Sequence, residues 1–221
     1  MSLGNWTQYL VGTPTVEINL TTPIVDAGSL HLAFDSGEKA LLVSTLYTLG
    51  LTKGRMRSLF RVDTVTGLDL YRYGFTLFQS TTNITSTGFA YLFGVEIQAS
   101  TLVNTPFFDI CTTGLDAGRT RYFTGTNFSR TNGVTIVALE VEWAYEPVLL
   151  NGTRFIFREG HGTLTNFSNL VEIGRLQLFP GTGTNPAFLS TSAAEGIYCT
   201  GGSSSTLVDI NVDKTLIVQL S

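Results

Sequence analysis

Polar and apolar side chains alternate along most of this chain, most clearly in its centre, over residues 54–79. The first half of this stretch interleaves arginines with apolar residues. In the second half Tyr71, Tyr73 and Phe75 would share one face of a strand, and a Thr/Gly-rich turn at 63–67 joins the two halves. This period of two predicts antiparallel strands with one buried face and one exposed face.

The same alternation recurs to the C-terminus, and Gly, Asn, Ser and Pro clusters separate the segments. Twelve strands are predicted, at 15–20, 29–34, 38–47, 54–62, 68–79, 89–98, 101–110, 119–124, 133–145, 152–158, 169–179 and 206–219. No segment keeps a helical period over three turns, and at most one short helix is expected, near Ser192–Gly196. A dozen strands at nearly even spacing predict a sandwich or a barrel.

The 221 residues show no break in composition that would separate two domains. A single all-β domain of this length is ordinary. We therefore predict one domain over 14–221, preceded by a loose N-terminal arm over 1–13 that Trp6 and Tyr9 anchor.

The order of the strand segments resembles that of concanavalin A-like or laminin-G-like jelly rolls. The segments that carry the resemblance are AGSLHLAF, EKALLVS, GRMRSLFRVDT, YRYGFTLFQ, GFAYLFGVEI, VTIVALEVEW, NGTRFIF and VEIGRLQL. They extend over roughly 25–220 and imply an antiparallel jelly-roll β-sandwich. The calcium-site and sugar-binding signatures of the family are not evident, and ligand binding does not follow from the fold.

The composition is poor in charge. Charged residues make up 14% of the chain and hydrophobic residues 43%, whereas about 25% charge is usual. Ten of the thirteen basic residues are arginines, which interfaces tolerate better than lysines. These features favour a surface that other subunits cover, and compositional bias of the source is the alternative explanation.

The net charge of −4 and the lack of a basic run argue against nucleic-acid binding. No apolar run reaches the ~20 residues that span a bilayer, and no signal peptide is recognised, so no membrane association is expected. We expect Cys111 and Cys199 to be two separate buried thiols rather than a disulfide.

The sequence predicts no metal and no cofactor. Its two histidines, His31 and His161, do not have the spacing of a zinc site. Its aspartates lack the clustered spacing of a strong calcium loop. We expect His31 to lie on the strand face opposite its leucine neighbours, and His161 to lie in a flexible hairpin tip.

Two groups of residues are candidates for carbohydrate chemistry. Tyr71, Tyr73, Trp143 and Tyr145 are candidate ligand-binding residues that could stack on sugar rings, although a role in the core or between subunits is commoner for such side chains. Glu140 and Glu142 would project to one strand face, as the carboxylate pair of a retaining glycoside hydrolase does. Against this, the third acid of the related β-glucanase pattern is displaced, and a solvated strand face is the simpler interpretation.

Three functional hypotheses follow. The first is a non-enzymatic structural or attachment protein of a bacteriophage particle, either a tail component or a capsid decoration, because jelly rolls of this family occur in virions. It implies as partners further copies of the chain in a homo-oligomer such as a trimer, other virion proteins and a host surface glycan. The second hypothesis is a lectin-like carbohydrate-binding adhesin module, and the third is a polysaccharide-cleaving glycoside hydrolase.

Overall fold

A computed structural model describes most of the chain. The described residues are 3–25, 27–44, 53–67, 70–78, 90–98, 100–111, 119–146, 152–178, 194–200 and 207–220. They form one 3-10 turn, Leu3–Asn5, and fifteen strands.

The first sheet contains eight strands in the order β1-β4-β14-β6-β7-β8-β10, with β9 also pairing with β8. Its strands are β1 (Trp6–Val11), β4 (Lys39–Ser44), β6 (Leu70–Phe78), β7 (Ala90–Gln98), β8 (Val103–Cys111), β9 (Arg119–Thr124), β10 (Phe128–Ser129) and β14 (Ala194–Thr200).

The second sheet contains seven strands in the order β13-β12-β11-β5-β15-β3-β2. Its strands are β2 (Thr15–Asn19), β3 (Ser29–Phe34), β5 (Lys53–Val65), β11 (Ile136–Glu146), β12 (Gly152–Gly162), β13 (Val171–Leu178) and β15 (Val208–Gln219). Every strand pair in both sheets is antiparallel. The predicted all-β antiparallel jelly-roll sandwich is therefore confirmed, and all twelve predicted strands are present.

The main core fills the space between the two sheets. The period of two sends alternate side chains inward from both sheets, and aromatic rings dominate the result. The rings of Phe93 and Phe108 stack with centroids 4.4 Å apart, and Phe155 from the opposite sheet packs against both. Aromatic contacts therefore join the two sheets directly.

Two local predictions were wrong. Trp6–Val11 are not part of a loose arm, because they pair with β4 as the edge strand β1 of the first sheet. The predicted short helix near Ser192–Gly196 is replaced, from Ala194 onward, by strand β14 between β4 and β6. Both segments lack a long alternating apolar pattern, and it is pairing with neighbouring strands that makes them extended.

Cys111 and Cys199 are free, buried thiols, as predicted. Cys199 belongs to the main core, where burial raises the pKa of its thiol. Cys111 belongs to a second apolar cluster, which includes Leu41 and Leu92. The two thiols therefore pack in separate apolar environments.

Candidate functional site

The aromatic side chains that the sequence suggested as sugar platforms belong to the core. Tyr71, Tyr73 and Trp143 are at most 1% exposed. A ring without an exposed face cannot stack on a ligand, so the prediction is wrong for these three residues. Alternation correctly placed such side chains on one face of a strand but could not say that this face points inward. The side chain of Tyr145 lies outside the described part of the structure.

Tyr71 contributes instead to a buried polar contact. Its hydroxyl oxygen accepts a hydrogen bond from Nη2 of Arg130 at 2.6 Å, and Nη1 of Arg130 donates to Oδ1 of Asn132 at 2.5 Å. Burial raises the pKa of Tyr71 although the charge of Arg130 opposes the shift. Tyr71 therefore stays a neutral partner of a buried cation.

Glu140 and Glu142 project from one face of β11, as predicted, while Val141 and Trp143 point into the core. Both carboxylates are held by arginines of the neighbouring strands. Nη1 of Arg158 is 2.6 Å from Oε1 of Glu140, and Nη2 of Arg55 is 2.9 Å from Oε2 of Glu142.

The ion pairs of Glu142 oppose the role of a proton donor in a retaining hydrolase. Burial alone would raise the pKa of Glu142, but the hydrogen bonds and charges of Arg55 and Arg158 outweigh it and hold that pKa below its usual value. A general acid requires the opposite shift. The pair is therefore a cross-strand charge ladder on the outside of the second sheet.

His31 lies on the outer face of the second sheet, while its neighbours Leu30 and Leu32 are fully buried, as predicted. Its Nδ1 is 3.1 Å from Oε1 of Glu17, and its Nε2 is 3.5 Å from Oδ1 of Asp209. His31 is thus engaged on both ring nitrogens.

A groove of about 560 Å³ lies between the two sheets, beside their edge strands β10 and β13. One wall comes from Pro106 of β8 and the connection from β9 to β10, residues 124–128. The other wall comes from the end of β12 and the start of β13, namely Glu159, His161, Val171, Glu172 and Ile173.

Close packing beneath the groove holds its two walls together. Gly125 lies so near β13 that a β-carbon at this position would be 2.7 Å from Cγ2 of Ile173. The amide of Gly125 also donates to the carbonyl oxygen of Pro106 at 2.8 Å. At this point the walls are therefore in contact through the backbone of Gly125 and the side chain of Ile173.

His161 is the most exposed ring in the groove. It is not in a hairpin tip as predicted, because β12 continues to Gly162 and His161 pairs with Val137 of β11. By strand alternation Glu159 and His161 follow Phe155 and Phe157 on the inner side of β12. The inner face thus changes from apolar to polar where the sandwich opens.

Two neighbours fix the orientation of the imidazole. The ring of Phe128 lies against it with 4.0 Å between centroids and 4° between planes. The Nδ1 atom of His161 is 2.8 Å from Oε1 of Glu159. The side chain of His161 remains 43% exposed, so the face turned away from Phe128 is accessible from the groove.

The charges in the groove are acidic. Burial raises the pKa of Glu159, and the hydrogen bond and charge of His161 only partly oppose this shift. Glu172 has both oxygens bound by Nε and Nη2 of Arg175, and this bonding lowers its pKa. No lysine or arginine lines the described walls.

The groove also offers one amide donor. The Oδ1 atom of Asn127 accepts a hydrogen bond from the hydroxyl of Thr105 at 2.8 Å, and the two N–H groups of the amide can donate to a ligand. A flat ring, a carboxylate and an amide on two opposed walls can contact both the C–H face and the hydroxyls of a sugar.

The sequence did not single out the residues of this groove other than His161. The signal for Glu159 was its place two residues beyond a buried phenylalanine on an alternating strand. Asn127 and Phe128 gave no signal for a ligand site, because Asn127 lies in the connection from β9 to β10 and Phe128 begins the two-residue strand β10, both of which tertiary packing positions. Within the described residues no three His, Cys, Asp or Glu side chains form a group that could hold a metal ion, and no helix is long and apolar enough to cross a membrane.

No family model matches the chain, and no curated protein matches it significantly. Solved structures with the same fold do exist. The exoplasmic/lumenal domain of VIP36, in a form bound to Ca²⁺ and Man3GlcNAc, superposes with a TM-score of 0.56 at 13% identity, covering 98% of this chain and 86% of that one.

Two further structures are comparably similar. A legume lectin-like domain from Entamoeba histolytica gives a TM-score of 0.54 at 9% identity, with 99% and 92% of the two chains covered. A PL-14 alginate lyase from Aplysia kurodai gives 0.54 at 8% identity, with 93% and 87% covered. The chain thus has the lectin-like jelly-roll fold, as the resemblance in its sequence implied.

Proposed function

We propose that this protein is a non-enzymatic, lectin-like carbohydrate-binding module whose binding site is the groove between β8–β10 and β12–β13. The observation that carries the proposal is the imidazole of His161, which Phe128 and Glu159 hold in one orientation with its other face open. A pre-oriented flat ring with nearby hydrogen-bonding groups is suited to a sugar, which has both an apolar face and hydroxyls.

The size of the groove agrees with this class of ligand. Small-molecule sites are typically about 300–1,000 Å³, and the groove measures about 560 Å³. The VIP36 structure supports the proposal in a general way, since it shows that this kind of sandwich can carry a glycan. At 13% identity the likeness concerns the fold, so the binding residues proposed here come from this chain alone.

Catalysis is less well supported than binding. Glu140 and Glu142 are both held by arginines. In the groove, Glu159 bonds to His161 and Glu172 bonds to Arg175, so no second carboxylate is poised opposite Glu159. The likeness to an alginate lyase concerns one structure at 8% identity. We therefore propose binding without cleavage.

The bacteriophage virion remains a prediction, as do its capsid or tail location, the homo-oligomer and the virion partners. No similarity reported above is to a virion protein. Glycan binding would suit a host-attachment role, so the two hypotheses are compatible.

A glycan array tests the proposal, with His161→Ala compared against the parent protein. His31→Ala is the matched control, because it removes the other histidine from the outer face of the second sheet. We expect the parent and His31→Ala to share a set of bound glycans that His161→Ala loses. Binding that survives in His161→Ala, or no binding to any glycan by the parent, would contradict the proposal.

A further inference from the structure

The ionisable groups that line the groove, Glu159, His161 and Glu172, act mainly as hydrogen-bond acceptors. A carboxylate of Glu159 can only accept, so the Nδ1 atom of His161, 2.8 Å away, must carry the proton when the imidazole is neutral. The Nε2 atom is then an acceptor. It has no described protein partner, and it belongs to a ring that lines the groove.

The other charged groups around the groove do not neutralise Glu159. Both oxygens of Glu172 are already bound by Arg175. Arg130 follows β10 but donates to Tyr71 and Asn132 and does not line the groove. Glu159 is therefore the one carboxylate of the described walls that no guanidinium neutralises.

The only ionisable partner of Glu159 among the described groove residues is the imidazole of His161. A buried carboxylate without a permanent cation beside it is costly, and a ligand that supplies a positive charge reduces that cost. Glu159 is 8% exposed and lies on the wall of the groove. A ligand carboxylate would meet Glu159 with a like charge and would find only uncharged side-chain donors, the amide of Asn127 and the hydroxyls of Thr124 and Thr126.

We infer that the groove selects sugars that carry a free amino group, with the ammonium bound by Glu159 and the sugar ring lying on His161. This inference rests on the proposed carbohydrate-binding function and adds the chemical class of the ligand. An ammonium provides three donors and no acceptor, which complements the carboxylate of Glu159. An N-acetyl group has no charge and brings a carbonyl acceptor of its own.

Isothermal titration calorimetry on the full chain tests the inference with three oligosaccharides of equal length. They are a glucosamine oligomer with free amines, its fully N-acetylated form and an oligomer of a uronic acid. We expect the N-acetylated form to bind about tenfold or more weakly than the free amine, the loss typical of one charge-assisted hydrogen bond. We expect no detectable binding of the uronic acid oligomer.

Glu159→Gln should abolish the preference for the free amine, since glutamine keeps the shape but not the charge. Glu17→Gln is the matched control and should keep the preference, because Glu17 is an exposed carboxylate outside the groove. If Glu159→Gln fails to fold, the three oligosaccharides titrated into the parent protein still test the inference, because only the ligand differs between those titrations.

Equal affinity for the free amine and the N-acetylated form, or tighter binding of the uronic acid, would overturn this inference while leaving carbohydrate binding in place. Failure of all three oligomers to bind would also overturn it. In that last case the glycan array decides separately whether the proposed function fails too.

Discussion

The imidazole of His161 lies parallel to the phenyl ring of Phe128, with 4.0 Å between their centroids. The two rings come from different sheets, since Phe128 belongs to β10 and His161 to β12. Their contact therefore places a polar ring at the mouth of the sandwich and depends on both sheets being in place.

Phe128→Ala should weaken glycan binding because His161 loses the surface that orients it. Phe128 is 8% exposed, so its truncation should also lower the free energy of unfolding by about 3 kcal/mol. Urea denaturation and calorimetric titration measure the two effects. Phe128→Tyr keeps the stacked ring and should retain binding. An unchanged affinity in a folded Phe128→Ala protein would show that the stack has no role in the site.

Gly54→Ala should destabilise the fold without acting on the groove. A β-carbon at position 54 would overlap the indole ring of Trp143, which is buried. Overpacking of this kind costs about 1–3 kcal/mol, and a thermal melt would detect it. Val134→Ala, at a side chain that is 53% exposed, is the control and should change stability by less than about 0.5 kcal/mol. Equal melting temperatures for the two variants would contradict the described packing.

Glu140→Gln should affect stability and not catalysis. Glu140 is 6% exposed and pairs with Arg158 at 2.6 Å. Its neutralisation leaves Arg158 only the longer contact with Glu142, at 3.4 Å, at a cost of about 1–3 kcal/mol. A reducing-sugar assay on β-glucans should give no signal for the parent protein or for the variant. Hydrolysis by the parent that Glu140→Gln and Glu142→Gln each abolish would restore the glycoside hydrolase hypothesis.

Glu96 should make stability depend on pH. Burial alone would raise its pKa, but Arg121 and Arg72 outweigh burial and hold that pKa below its ordinary value of 4.5. Since the folded pKa is the lower one, the stabilisation is fully present above the unfolded pKa and is lost as the pH falls through the folded pKa.

Glu96→Gln should therefore lower the free energy of unfolding by about 1.5–3 kcal/mol at pH 7 and by less at pH 3. Urea denaturation at both pH values measures this. Glu17→Gln changes an exposed carboxylate and serves as the control, with little effect expected at either pH. If Glu96→Gln lowers the free energy of unfolding equally at pH 3 and pH 7, the assigned ion pairs are contradicted.

Residue alternation was sufficient to predict most of the fold. Long alternating segments such as β5 and β11 have only one register that buries their apolar face. The strands β1, β10 and β14 were missed because they are short or polar and are extended by pairing with neighbours. Propensity carries little information about such segments.

The site was less predictable than the fold. Alternation assigns Tyr71 and Trp143 to one face of their strands but does not show what covers that face, so the two residues were wrongly considered as ligand-binding rings. The groove also combines residues far apart in sequence, such as Asn127 and Glu172. Their proximity follows from the packing of one sheet on the other, which no local pattern records.

The most direct test of the account is the location of the bound sugar. Backbone amide shifts of the labelled protein can be followed by NMR during titration with the glycan that binds most strongly in the array. The account predicts that the largest changes occur at Asn127, Glu159, His161 and Val171, with the charge ladder at Glu140 and Glu142 unaffected. Saturable changes centred on any other surface, with the groove amides unmoved, would contradict it.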